Sequence, residues 1–253
     1  MAVHAARASA PARPGDEFEL VYIDSAGVRQ RGPLSLCWSV PFERAGAVRQ
    51  FTSRRGQRSF SGLWFFATSG EHVGYESWLE RDRLMLLDAD PDVLTVSSQP
   101  FWLCWQDKDE RPVRHAPDYF VRRRDGTAVV IDVRADDRIG PKDAAKFAAT
   151  ARACEAVGWG FERVGALDAV FAANLRWLSG YRHRRYHQRV HADQLRRVFA
   201  RPVPLMEGAS AVGDPLGVLP VLFHMLWLRE LQADLRSAAL SETSLVRVAG
   251  GLR

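Results

Sequence analysis

Two aspartates and an arginine in the middle of this 253-residue chain are the side chains best placed to do chemistry. Ala128-Val129-Val130-Ile131-Asp132-Val133 is an almost continuous apolar run, as a strand buried on both faces requires, yet it carries a carboxylate. A charge in such a place needs a partner. The turn Arg124-Asp125-Gly126 suggests one. If it is a three-residue hairpin loop with Gly126 left-handed, residues whose numbers add to 250 face each other, and Asp118 lies opposite Asp132. Two carboxylates with β-carbons roughly 5 Å apart repel unless a cation or a shared proton separates them, and a hard divalent cation resolves the repulsion. Strand alternation puts Arg134 on the same face.

Carboxylates that hold Mg²⁺ with several waters, beside a fixed cation, suit phosphodiester hydrolysis: a metal-bound water attacks while the positive charges stabilise the added negative charge. The spacing alone is equally compatible with a plainer arrangement, in which Asp132 pairs with an arginine and Asp118 caps a strand. A two-residue loop would also send the aspartates to opposite faces.

The elements that must position these groups follow from periodicity. Short β-prone runs at Phe18 to Ile23, Leu36 to Val40 and Gly62 to Phe66 predict a β-rich entry segment. Tyr75 to Asp88 changes to helical spacing and is closed by the Asp90-Pro91-Asp92 turn. Strands are predicted at Val93 to Gln99 and Phe101 to Gln106, with a hairpin from Tyr119 to Val133. A helix from Pro141 to about Val157 is ended by Gly158, and Trp159 to Val164 alternates as a further strand. The order is α-β-β-β-α-β. A second helix is expected over Ala166 to Leu178.

Four runs in this stretch, Ser77-Trp78-Leu79-Glu80, Ser98-Gln99-Pro100, Pro117-Asp118-Tyr119-Phe120-Val121 and Val130-Ile131-Asp132-Val133-Arg134, together resemble the TnsA-type endonuclease subunit of heteromeric transposases. The resemblance covers about residues 56 to 180. It implies an α/β, restriction-endonuclease-like αβββαβ core of the PD-(D/E)xK type that hydrolyses DNA at the 5′ ends of a transposon, beside a separate integrase-like transposase subunit that processes the 3′ ends. It also implies Glu80, Asp118 and Asp132 as metal ligands for Mg²⁺, or Mn²⁺, with Arg134 where the family pattern has lysine. Glu76, one turn before Glu80, is the second choice for the glutamate. Arginine keeps the charge but stays protonated and cannot serve as a general base. Lys142 and Lys146 on the following helix are the nearest candidates for the missing amine, against an ordinary surface role.

Composition sets wider bounds. The net charge of +5 favours an anionic partner, double-stranded DNA first. The 35 Lys and Arg include only three lysines, so 32 are arginine, a bias that suggests a GC-rich coding sequence as much as phosphate binding. Arg182, Arg184, Arg185 and Arg189 in a dense basic run are the candidate DNA-phosphate contacts, the competing role being a solvated face. His183, His187 and His191 share helical spacing within that run, a weak zinc signal. Cys37, Cys104 and Cys154 lack metal-ligand spacing and imply a reducing, cytoplasmic setting. No apolar run is long enough to span a bilayer, and a membrane partner is not expected. Residues 1–16 read as a disordered tail, 17–186 as the nuclease domain with its β-rich entry, and 187–253 as a small helical C-terminal domain that binds DNA or a partner. In the last, Leu219 to Leu231, a turn, a short helix near Ser241 and the β-prone Leu245 to Val248 would suit a winged-helix module.

Overall fold

The structure, a computed structural model, describes residues 13–49 and 60–250. Residues 1–12, most of the expected tail, lie outside it. Residues 13–16, assigned to the same tail, instead form a turn, with Asp16 N–H donating to Arg13 O and Phe18 N–H to Gly15 O.

The entry segment is β-rich, though not as its apolar runs suggest. Glu19–Ile23 (β1) pairs antiparallel with Arg29–Pro33 (β2), a polar strand without an apolar signature. Leu34–Cys37 (α1) is one helical turn where Leu36 to Val40 was expected as a strand. The correction has a simple cause: Leu34 is fully buried while Leu36 faces solvent, so residues two apart point opposite ways, as on a helical turn, whereas a strand would put them on one face. Gly62–Phe66 (β3) and Glu71–Tyr75 (β4) form a separate hairpin. The following helix, Trp78–Asp88 (α2), begins later than its periodicity implied because Tyr75 closes β4 and Ser77 caps the helix.

Val93–Ser98 (β5) precedes a hairpin that leaves its neighbours. Phe101–Gln106 (β6) and Pro112–His115 (β7) join the first sheet, ordered β2-β1-β6-β7. Tyr119–Arg123 (β8) and Ala128–Val133 (β9) return to β5. After Pro141–Ala156 (α3), Gly160–Val164 (β10) pairs parallel with β9. The central sheet is therefore β10-β9-β8-β5. With the β6–β7 excursion set aside, the elements run α2-β5-β8-β9-α3-β10, in a mixed α/β architecture; Phe101 to Gln106, expected in this stretch, belongs to the first sheet instead.

The β8–β9 register has the predicted form: Tyr119 faces Ile131, Phe120 faces Val130 and Val121 faces Val129. Gly126 has φ +87°, and Arg123 N–H donates to Thr127 O to close the loop. An L-side chain in that conformation costs about 1–2 kcal/mol. Gly126→Ala is expected to destabilise the chain by about that amount, read from the midpoint of urea unfolding.

The central sheet buries both faces, which explains the unbroken apolar run of β9. Tyr119, Val121, Val129 and Ile131 pack into a core with Leu84, Met85 and Leu87 of α2. Phe120, Ala128 and Val130 pack on the other side with Ala149, Ala153 and Cys154 of α3 and with Phe42 and Leu20 of the first sheet's layer.

Ala169–Ser179 (α4) leads to a short 3-10 turn at Arg184–Tyr186. Then come Arg189–Val198 (α5), Val203–Pro204 (β11), Leu205–Val212 (α6), Pro215–Trp227 (α7), Leu231–Ala233 (β12) and Leu245–Val248 (β13). The last three strands form a small sheet, β11-β13-β12. No helix occurs near Ser241; residues 234–244 are a loop, because Asn174 of α4 satisfies their backbone by donating to Leu235 O and Ala238 O and accepting from Leu240 N–H. The C-terminal helices share one continuous core with α2 and α4, through Leu175, Leu178, Leu195, Phe199, Leu222 and Met225. Among the described residues, no helix is long and apolar enough to cross a membrane.

Candidate active site

A cleft of about 340 Å³ opens at the end of the central sheet, beside the edge of the first sheet. Asp118, Asp132 and Glu80 all line it, and so does Arg134. Asp132 lies in β9 and Asp118 immediately precedes β8, one residue beyond the paired register, while Glu80 arrives from the first turn of α2.

Each carboxylate is held. Asp118 Oδ2 accepts from the backbone N–H of Val133 at 2.7 Å. Asp132, 2% exposed, lies with both oxygens 2.9 Å from Nε2 of His115. Glu80 takes part in a reciprocal cap: Ser77 Oγ accepts from Glu80 N–H at 3.2 Å, and the Glu80 carboxylate accepts from Glu76 N–H at 2.7 Å and from Ser77 Oγ at 2.8 Å. Thus Glu80 has a complete structural role whether or not it meets a metal.

The electrostatics of Asp118 are strained. Its carboxyl is pushed well above the ordinary carboxylate range, first by burial and then by the negative charges of Glu80 and Asp132; the Val133 N–H only partly offsets this. Burial also raises Glu80. A buried carboxyl raised by neighbouring carboxylates in a shared cleft is what a divalent cation neutralises, and carboxylate oxygens are the hard donors that Mg²⁺ or Mn²⁺ takes. Among the described residues, no group of three or more His, Cys, Asp or Glu side chains is arranged to hold a metal ion. A magnesium site built from one or two carboxylates and water requires none. On this chemistry the donor set fits a hydrated Mg²⁺.

Arg134 lines the cleft with its guanidinium engaged at the rim: Nη2 is 3.2 Å from Asp143 Oδ2, Nε donates to Arg138 O at 3.3 Å, and the side chain is 48% exposed. Lys146 of α3 lines the same cleft; Lys142 does not.

Among the groups not singled out in the sequence are His115, which lines the cleft, and Gln99, which stands behind it. His115 had no signal because β7 was not recognised, so its alternation could not be read. Gln99 stood within one of the quoted motifs but carried no assigned role. It has φ +48°, rare for a residue with a side chain. Its N–H donates to Asp118 O at 2.9 Å, and its Nε2 donates to Glu76 at 3.2 Å. Glu76 also pairs with Arg49, and both line the cleft. Gln99 thereby ties the second-choice glutamate to the strand that carries Asp118.

The four arginines of the basic run are placed differently, and none lines the cleft. Arg182 stacks over Trp64 at 4.3 Å and donates to Phe65 O and Ser179 O, so its guanidinium serves packing. Arg184 and Arg185 are exposed on the 3-10 turn, with Arg185 against Tyr186. Arg189 begins α5 with its side chain 90% exposed. The helical face expected to join His183, His187 and His191 does not form: the first two flank the 3-10 turn and the third lies in α5. His183 stacks on Phe65 and His187 meets His224 edge-on. The three cysteines are free.

No known protein-family profile matches the chain, and no curated protein matches it at a significant level.

Proposed function

We propose that the chain is a metal-dependent DNA endonuclease, the subunit of a heteromeric transposase that cuts at the 5′ ends of a transposon, with a PD-(D/E)xK, restriction-endonuclease-like core. The observation that carries this reading is the juxtaposition of Asp118 and Asp132 across β8 and β9 in a cleft that also receives Glu80. The TnsA-like motifs fall on these positions. The helix, strand, two helices and hairpin of residues 189–248 suit a winged-helix module that holds DNA or the integrase-like partner.

In this mechanism Asp118 and Asp132 hold the metal, and Glu80 completes the acidic set from the helix side. A Mg²⁺ or Mn²⁺ ion held there would supply Lewis-acid activation of water and would neutralise charge on the phosphate. Arg134 stands at the mouth of the cleft as a cation for the phosphate oxygens, and the exposed Arg184, Arg185 and Arg189 are available for salt-sensitive backbone contacts. Metal-dependent nicking of transposon-end DNA with the partner subunit present, compared between wild type, D118A and D132A, tests the proposal. Equal activity in all three ends it.

One observation favours a second reading, a non-catalytic DNA-binding subunit: the residue standing where the motif has lysine is an arginine tied to Asp143 and Arg138 O. Arginine cannot take a proton from water. Arg134→Lys is therefore expected to raise the nicking rate about 100-fold or more, within the range that general-base assistance supplies. A loss of activity would mean that the cleft works through the arginine fork itself.

A further inference from the structure

His115 ends β7 and faces Leu103 of β6, on the inner side of the first sheet. From there it crosses to the central sheet, where its Nε2 meets both oxygens of Asp132 at 2.9 Å. In the tautomer that carries its proton on Nε2, the ring donates to these carboxylate oxygens. The imidazole is itself confined: strand pairing fixes its backbone, and its ring stands edge-on to Phe147 of α3, with centroids 6.3 Å apart. Both His115 and Asp132 line the cleft, with 16% and 2% of their side chains exposed. The only side-chain partner of the most deeply buried carboxylate of the site, among the described residues, thus comes from a different sheet.

We infer that His115 is a positioning residue for the metal site: its Nε2–H anchors the Asp132 carboxylate and so fixes the direction in which the free lone pairs face the cleft. This rests on the proposed metal site. A carboxylate on a strand end has rotational freedom about its terminal bond, and a ligand that must stop rotating before it binds does so at an entropic cost. Donors that orient metal ligands from outside the coordination sphere are worth about 10–100-fold in metal affinity. Arg134 is turned to Asp143 and does not provide this anchor.

The test is Mn²⁺ binding to the full chain, followed by the loss of the free-ion paramagnetic resonance signal, which needs neither DNA nor turnover. Wild type is compared with H115A, H115F and H115Q, and with D118A and D132A as controls. H115A is expected to weaken Mn²⁺ binding about 10–100-fold. H115F, which keeps a ring against Phe147 but has no donor, should weaken it as much. H115Q, which restores an N–H, should stay within about threefold of wild type. Wild-type affinity in H115A or H115F would overturn the inference, as would equal weakness in H115Q and H115F. If H115A does not fold, the comparison of H115F with H115Q decides alone. Unchanged Mn²⁺ binding in D118A and D132A would instead remove the metal site itself.

Discussion

Asp118→Ala is expected to lower metal-dependent nicking by about 10³-fold, and Asp132→Ala by a similar factor. A metal that polarises a phosphoryl oxygen and activates water contributes several kcal/mol to the transition state, and each 1.36 kcal/mol is a decade in rate. If both aspartates act through one ion, as proposed, the double variant should be hardly worse than either single one. Glu80→Ala should behave differently. The Glu80 carboxylate already accepts from Glu76 N–H and Ser77 Oγ, so its removal should cost about 1 kcal/mol of stability through the lost cap, with a smaller effect on rate. Single-turnover rates on end-labelled DNA, with unfolding curves for each variant, separate the two effects. Wild-type rates in both aspartate variants would show that the cleft is not the reaction centre.

The second large effect is on stability, and its sign follows from Asp118. In the folded chain this carboxyl keeps its proton to higher pH than in the unfolded chain, where it titrates near 3.8. Its contribution is therefore intact below that value and is lost as pH rises through the raised folded value. Glu80 has the same sign from its ordinary 4.5. Asp88, buried against Trp64 Nε1, also has this sign but lies outside the cleft. Asp16, Asp24, Asp107, Asp125 and Asp234 have the opposite sign: hydrogen bonds lower them, so their contribution is lost only as pH falls through their folded values, below 3.8. Metal-free protein should accordingly lose thermal stability as pH rises from 3.8 through the raised folded values of these groups, the upper pH being where they are ionised in the folded chain. A divalent cation at 100 times its Kd should add about 2.7 kcal/mol at the upper pH, some 5–10 °C in Tm for a chain of this size. In Asp118→Asn the metal response should vanish and the pH slope should shrink to what Glu80 and Asp88 contribute. Calorimetry with and without Mg²⁺ checks both, and an undiminished metal response in Asp118→Asn would remove the ion from this cleft.

The parts of the site that local rules govern were legible in the chain. The Asp118–Asp132 pairing follows from loop length and a left-handed glycine, both readable from Arg124-Asp125-Gly126, since strand alternation has a fixed period of two residues. The α2 cap was only half legible: Ser77-Trp78-Leu79-Glu80 contains a capping box, yet the same glutamate stood as a metal ligand, and one local pattern fits both roles. The entry segment shows where such rules fail. Polar β2 lacks an apolar stripe because its strand lies at a sheet edge, and the Leu36 to Val40 run is too short to separate a strand from a helical turn. The basic run from Arg182 to Arg189 looked like one helical face, but packing of Arg182 on Trp64 and of His183 on Phe65 divides it.

By itself the sequence determined the buried central strand, the register of its hairpin and the burial of two like charges on one face, because these depend on neighbours a few residues apart. Only the tertiary structure decided what surrounds those charges. The β6–β7 hairpin leaves the central sheet for β1, and that long-range pairing carries His115 to Asp132, while α3 brings Asp143 to Arg134. Such contacts join residues whose separation along the chain carries no periodic signal, so they arise only when whole layers pack.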